Sequence, residues 1–232
     1  MRVKYLLSIL AILSIVGWGP FTIFAPIEPF HVPGMQSWVD QETQTIAAQA
    51  SNLDRKVLKL SLTAYQKARK QGLNDKEVLT IIDYSKPSSQ RRLWVVDMKH
   101  NRVLFNTYVA HGKNSGAANS TSFSNRPNSL KSSFGVFLTE NVYTGHDGYS
   151  MRIQGLEHGV NDNAYRRNVV FHGANYVGEQ MVRARGMMGR SWGCMAVSRD
   201  VVKPLINTIK NRSLVFAYYP DSHWLKHSTF LS

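Results

Sequence analysis

The sequence predicts a mainly β domain of the barrel or sandwich kind, with a few short helices and a helical segment in front of it. Three observations predict it. Short β-type runs recur from residue 78 to residue 219, most of them separated by clusters of Gly, Asn, Ser, Pro or Lys. Only two helical patches interrupt those runs. The chain is 43% hydrophobic and 11% aromatic over 232 residues, too apolar for disorder and long enough for one sizeable domain with an appendage or for two small ones.

At the N-terminus, Arg2 and Lys4 precede an uncharged stretch from Tyr5 to Ile27, and Tyr5 to Val16 has the character of the apolar region of an export signal. The uncharged stretch is also long enough to span a bilayer, although Gly17, Gly19 and Pro20 interrupt it. Residues 1–25 therefore read either as a cleaved signal peptide or as an anchor that leaves the protein associated with the membrane. Both place the rest of the chain in the periplasm or an equivalent extracytoplasmic space.

Residues 26–77 are expected to form a linker, rich in Pro and Gly over 26–37, and then an amphipathic helix. From Asn52 a helical period puts Leu53, Val57, Leu60, Ala64 and Ala68 on one face, with Ser51 or Asn52 as N-cap and Gly72 as the stop. The β-type runs follow at 78–85, 92–98, 102–112, 135–140, 151–155, 168–173 and 213–219. The helical patches are 178–185 and 199–209, the second with Ser198 as its cap. Residues 112–133 are too polar to build a core and are expected as a long surface loop of the kind that forms lids or binding loops. Residues 221–232 are expected as a C-terminal tail.

The net charge of +13, from 28 Lys and Arg against 15 Asp and Glu, favours contact with a polyanion: nucleic acid, anionic lipid or an acidic wall polymer. Export argues against nucleic acid. The single cysteine, Cys194, cannot form an internal disulfide, so it is either a reactive thiol or a small buried hydrophobe.

Cys194 lies in "GRSWGCMAVS" (189–198), which also spells the G-x-S-x-G pattern of serine hydrolases around Ser191. That pattern needs a strand before the serine, with an acid and a histidine after it. Here "MVRARGMM" precedes it with helical character, and too little chain follows for the remaining strands of such a fold. The thiol reads better. His172 ends the apolar run "VVFHGA", which fixes it at a strand edge, and a histidine is the usual group that takes a thiol proton. Gly193 lets backbone N–H groups turn towards a reacting carbonyl, and Arg190 adds positive potential.

"HGA" (172–174) followed by "GRSWGCMAV" (189–197) resembles the signature of the YkuD-type L,D-transpeptidases, in particular the divergent branch described as murein L,D-transpeptidase catalytic domain proteins. The resemblance extends over about 78–220 and includes "TIIDYSKPS", "VAHGKNSG", "SFSNRP", "SSFGVFLT" and "GLEHGVNDNA". It implies a sandwich-like β domain over 78–220 that acts on peptidoglycan stem peptides and needs no cofactor. By this resemblance Cys194 is the nucleophile and His172 the general base. The carbonyl of Gly173 or its neighbour orients the ring, N–H groups around Gly193 and Cys194 hold the oxyanion, and Ser191 is a structural residue of the turn.

The acyl-enzyme would be resolved by an amine of a second stem, giving a 3→3 cross-link, or by water, giving a carboxypeptidase. Attachment or release of wall-bound proteins and a non-catalytic wall-binding role on the same fold remain as alternatives. Trp192 and Ala196 stand where most members carry His and Arg. Another cation must then meet the substrate carboxylate, and Arg190, Arg152 and Arg199 are the candidates. His111, Tyr143 and His146 are candidates to line the cleft from Gly-bounded turns. The histidines at 111, 146, 158 and 172 show no metal-ligand spacing, so no metal is expected. Oligomeric state is left open.

Overall fold

The computed structural model describes residues 33–232. The expected signal or anchor and the first part of the expected linker lie outside them. The linker expectation fails from residue 33 onward, because Pro33–Ala47 is a helix, α1. Proline at the first helical position loses no intrahelical bond, so the residue that suggested a linker is in fact compatible with a helix start. Val39, Thr43 and Ile46 bury one side of α1, and Trp38 stacks on Tyr65 at 6.4 Å between ring centroids.

The second helix, α2 (Arg55–Lys70), begins later than the periodicity suggested. Its N-cap is Asp54, whose carboxylate accepts from the Lys56 and Val57 N–H groups, and neither Ser51 nor Asn52 fills that role. Gly72 does supply the stop, with φ +66° just past the helix. The buried stripe is wider than expected: Leu58, Ser61, Leu62 and Tyr65 join Val57, Ala64 and Ala68, while Leu60 sits at its edge. Among the described residues, no helix is long and apolar enough to cross a membrane.

Eight strands form one sheet: β1 (Val78–Asp83), β2 (Leu93–Asp97), β3 (Arg102–Thr107), β4 (Gly135–Gly145), β5 (Gly148–Gly155), β6 (Val170–Gly173), β7 (Met195–Val197) and β8 (Leu214–Tyr218). Their order is β3-β2-β1-β8-β4-β5-β6-β7, with β1–β8 and β6–β7 parallel and the other pairs antiparallel. The chain leaving β3 reaches the far edge, where the Ala110 N–H donates to Ala196 O at 2.8 Å and Gly112 bridges Ser191. The sheet thus curls until its two ends nearly meet. The expected mainly β architecture with few helices holds, and seven of the eight strands coincide with the β-type runs.

The strands read as continuous apolar runs because both faces of the sheet are covered. Leu79, Ile81, Trp94, Val96, Val136, Leu138, Leu214 and Phe216 face α1 and α2. The alternate residues Ile82, Leu93, Val95, Phe137, Val215 and Ala217 face the inside of the curl, where α4 (Arg199–Ile209) inserts Val202, Leu205, Ile206 and Ile209. Ser198 occupies the N-cap position of α4, but its hydroxyl makes no capping bond. The other expected patch is α3 (Glu179–Arg185). Residues 222–227 form α5, and its Trp224 is buried in the outer cluster; Phe230 beyond it is buried too. The expected tail therefore packs against the body.

Two features position the site. Residues 113–134 contain only a short 3-10 turn, as the loop expectation holds, but Ser115, Ser120, Ser132 and Ser133 are buried rather than on the surface. The β4–β5 hairpin carries a one-residue bulge between Thr139 and Val142, which bends the ribbon beyond it and re-aims its tip.

Candidate active site

His172 lies on β6 and pairs with Ala196 on the parallel strand β7, while Phe171 pairs with Met195. Cys194 precedes β7 by one residue, two before Ala196. Side chains alternate along strands, so Cys194 and His172 project from the same face, one step apart, while Phe171 and Met195 fill the core on the other. Both open onto a cleft of about 500 Å³ that Tyr143, Asp147, Arg167 and Trp192 also line.

The thiol Sγ–H donates weakly to the Asn168 carbonyl at 3.6 Å. His172 is buried, with Nδ1 3.3 Å from the carbonyl of Gly173. A carbonyl only accepts, so Nδ1 carries the proton and Nε2 is left with its lone pair. Gly173 therefore stands where the family resemblance expects the orienting carbonyl. Burial pushes the imidazole below its ordinary pKa, and Arg199 adds to this; Asp147 and the Gly173 carbonyl oppose it. Burial raises the Cys194 thiol, with the Val170 N–H and Arg167 pulling it back and Asp147 adding to the rise. Both shifts favour a neutral thiol beside a neutral imidazole until substrate arrives.

Ser191 is buried, and its hydroxyl is fully engaged. Oγ donates to Cys194 O at 2.7 Å and accepts from the Gly193 N–H at 3.2 Å. Its backbone pairs with the loop, the Ser191 N–H donating to His111 O and the Lys113 N–H to Ser191 O. Ser191 thus builds the turn that carries the thiol. This corrects the expected role of Gly193 in one respect, since its N–H is taken by Ser191. Glycine is required there for its backbone: φ is +116°, and a Cβ would stand 2.7 Å from the Lys131 carbonyl. Trp192 is 75% exposed at the mouth of the cleft.

The candidate substrate-binding residues separate. Arg190 lines the cleft and bonds the Gly116 carbonyl at 3.3 Å. Tyr143 and His146 line it too, Tyr143 from β4 rather than from a turn. Arg152 lies outside the lining, its guanidinium stacked over Tyr143 at 5.1 Å and Tyr165 at 5.4 Å and bonded to Asn168 Oδ1. Arg199 lines a different groove, between β3 and the start of α4, and bonds Asn175.

His111 is not available to substrate at all. Its ring is buried, Nδ1 accepting from Arg92 at 2.8 Å and Nε2 donating to Gly116 O at 3.3 Å. Its pKa falls to about 4, mainly through burial and then through the Arg92 charge. A folded pKa below the unfolded value near 6.5 means that the unfolded chain binds a proton the fold refuses. His111 is therefore neutral without cost above about pH 6.5, and stability is lost as pH falls from there towards 4. The expected loss from this group between pH 7 and pH 5 is about 2 kcal/mol. Urea melts at the two pH values check it: His111→Gln, which can keep both bonds, should lose less stability by that amount.

Sequence reasoning missed Arg167 and Asp147. Arg167 donates to Ser124 O and Ser133 Oγ through one nitrogen, and to Ser129 Oγ and Lys131 O through the other. It ties the 113–134 loop down beside the thiol. No local motif surrounds it; an arginine after "GLEHGVNDNA" was the only available signal.

A sequence profile of the L,D-transpeptidase catalytic domain matches residues 49–218, taking in α2 as well as the sheet. No curated protein matches the chain. Similar solved structures include an L,D-transpeptidase from Mycobacterium smegmatis at 15% identity and TM-score 0.39, over 62% of this chain and 59% of that one. Another is Bd1075 from Bdellovibrio bacteriovorus, at 14% and 0.40 over 63% and 50%. The L,D-transpeptidase (Yku) from Stackebrandtia nassauensis gives 14% and 0.36 over 80% and 92%. The first two are thus spanned over only about three fifths and one half of their length. On the profile match, this chain belongs to the L,D-transpeptidase catalytic domain family.

Proposed function

We propose that the protein is an exported cysteine acyltransferase that forms 3→3 cross-links between peptidoglycan stem peptides through an acyl-enzyme on Cys194. The observation that carries this reading is the placement of Cys194 and His172 on one face of adjacent strands, at the mouth of a cleft, inside the matched family domain. The thiol proton passes to His172 Nε2 as sulfur attacks the carbonyl of the third stem residue. The tetrahedral oxyanion is met by backbone N–H at Cys194, since that of Gly193 is held by Ser191. Terminal D-alanine leaves with the proton from the imidazolium, and the amine of a second stem then resolves the thioester. Arg190, which lines the cleft, meets the substrate carboxylate. Export is supported by Arg2 and Lys4 ahead of the uncharged stretch. An alkaline phosphatase fusion at the C-terminus should be active.

Incubation with disaccharide-tetrapeptides, followed by mass spectrometry, should yield cross-linked dimers and free D-alanine. Tripeptides alone would replace the transferase by a carboxypeptidase, and unchanged tetrapeptides would remove the reading. A strained amide should trap the same thiol. A carbapenem is expected to add once per chain, on the peptide containing Cys194, and not at all in Cys194→Ala. An adduct on Ser191 would overturn the thiol assignment.

A further inference from the structure

We propose that Asp147, at the tip of the β4–β5 hairpin, is a positioning residue whose carboxylate aligns His172 and balances its charge when it takes the proton of Cys194. The proposal rests on the thiol chemistry assigned to Cys194, not on the identity of the acyl donor. Asp147 Oδ2 stands 3.8 Å from His172 Nδ1. That is ion-pair distance, short of a hydrogen bond. Among the described residues the other acceptor at Nδ1 is the Gly173 carbonyl, whose neutral dipole cannot offset a full imidazolium charge.

The backbone explains how a residue far from the motif arrives there. The one-residue bulge between Thr139 and Val142 bends the hairpin, and β4 pairs with β8 only as far as Leu138. Beyond that point, and past the β5–β6 pairing at Met151 and Arg152, no other strand among the described residues flanks the ribbon. It is tied sideways instead. Tyr149 Oη donates to Asn207 Oδ1 on α4 at 2.9 Å, and Tyr143 lies under the Arg152 guanidinium. The turn His146–Asp147 therefore hangs over His172. The Asp147 side chain is half exposed. Its other oxygen is 3.3 Å from His146 Nδ1.

The remaining charged and titratable groups near the pair are few among the described residues. Arg199 acts on His172 from the start of α4 and disfavours imidazolium; Asp147 favours it. Arg167 faces the sulfur. The Tyr176 phenol in the same cleft is pushed up to about 12, chiefly by burial, and stays neutral. Asp147 also opposes the thiolate, but it stands in ion-pair contact with the imidazole, and the nearer partner dominates. In the step itself one S–H bond breaks and one Nε2–H bond forms. Nδ1 keeps its proton, and Asp147 takes none.

The test uses Asp147→Asn and Asp147→Glu in the full chain. The first readout is the pH profile of Cys194 alkylation by iodoacetamide, followed by intact-protein mass spectrometry, which needs no stem peptide. At pH 7 the Asn variant should be alkylated about fivefold more slowly, and the Glu variant should recover to within about twofold. The second is the NMR titration of the His172 ring in a Cys194→Ala background, where Asp147→Asn should move the midpoint to lower pH. A merely structural role would move neither profile. Faster alkylation in the Asn variant, or an unchanged His172 midpoint, overturns the proposal. If the wild-type protein leaves tetrapeptides untouched while Asp147→Asn produces both shifts, the transpeptidase reading is removed and this one stands.

Discussion

On the proposed acyl-enzyme mechanism, Cys194→Ala should reduce turnover of stem peptides by roughly a thousandfold or more, with the fold intact, because it removes the single thiol of the chain. His172→Ala should fall to a similar level, and the double variant should be no worse, since nucleophile and base act as one unit. Ser191→Ala separates the two readings of the motif. The hydroxyl makes two hydrogen bonds within the turn, one to the Cys194 carbonyl and one from the Gly193 N–H. Its removal loosens the seat of the thiol without removing the chemistry. A loss of about tenfold is expected, in keeping with two modest hydrogen bonds. Steady-state rates alongside thiol titration of each variant would decide the matter. A dead Ser191→Ala that still titrates one accessible thiol, beside an active Cys194→Ala, would reverse the assignment.

Which parts of this molecule could be read from its residues follows from how locally each is determined. The β-type runs were legible because most strands are buried on both faces and so are apolar throughout. β7 was not, because it is three residues long and lies inside the cysteine motif. α1 was hidden by its Pro-Gly start and by a polar face that resembles linker. Cys194 and His172 were legible because their immediate neighbours carry the signal. Asp147 and Arg167 have no such neighbours. A bulge in β4 brings the first to the site, and the bonds of the second run to a loop more than thirty residues earlier, so neither position follows from spacing. His111 failed for the opposite reason. A histidine in a Gly-bounded turn suggested a cleft-lining residue, and only the buried arginine beneath it shows otherwise.

That arginine, Arg92, is the residue whose loss should cost the fold most. It opens the run "RLWVVDM", is fully buried, and forms no ion pair among the described residues. Its Nε and Nη2 donate to Val109 O at 3.1 and 3.0 Å, Nη1 to Lys86 O at 2.8 Å and Ser120 Oγ at 3.2 Å, and Nη2 also to His111 Nδ1. The guanidinium lies over the Tyr84 ring at 5.2 Å. Burial of the charge is itself unfavourable, and the pKa drops to about 10, which still leaves Arg92 protonated at neutral pH. Arg92→Met would relieve that burial penalty. It would also strand two backbone carbonyls, a serine hydroxyl and an imidazole nitrogen, none of which a thioether can satisfy. An unsatisfied buried acceptor costs about 1–3 kcal/mol, so four of them outweigh the relief. A net loss of about 3 kcal/mol is expected in urea melts at pH 7. Because Val109, His111 and Ser120 lead into and along the loop that Arg167 ties beside Cys194, the variant should also expose residues 112–134 to proteolysis before global unfolding. Equal stability and an unchanged cleavage pattern would show that the chain around Arg92 re-forms these bonds without it.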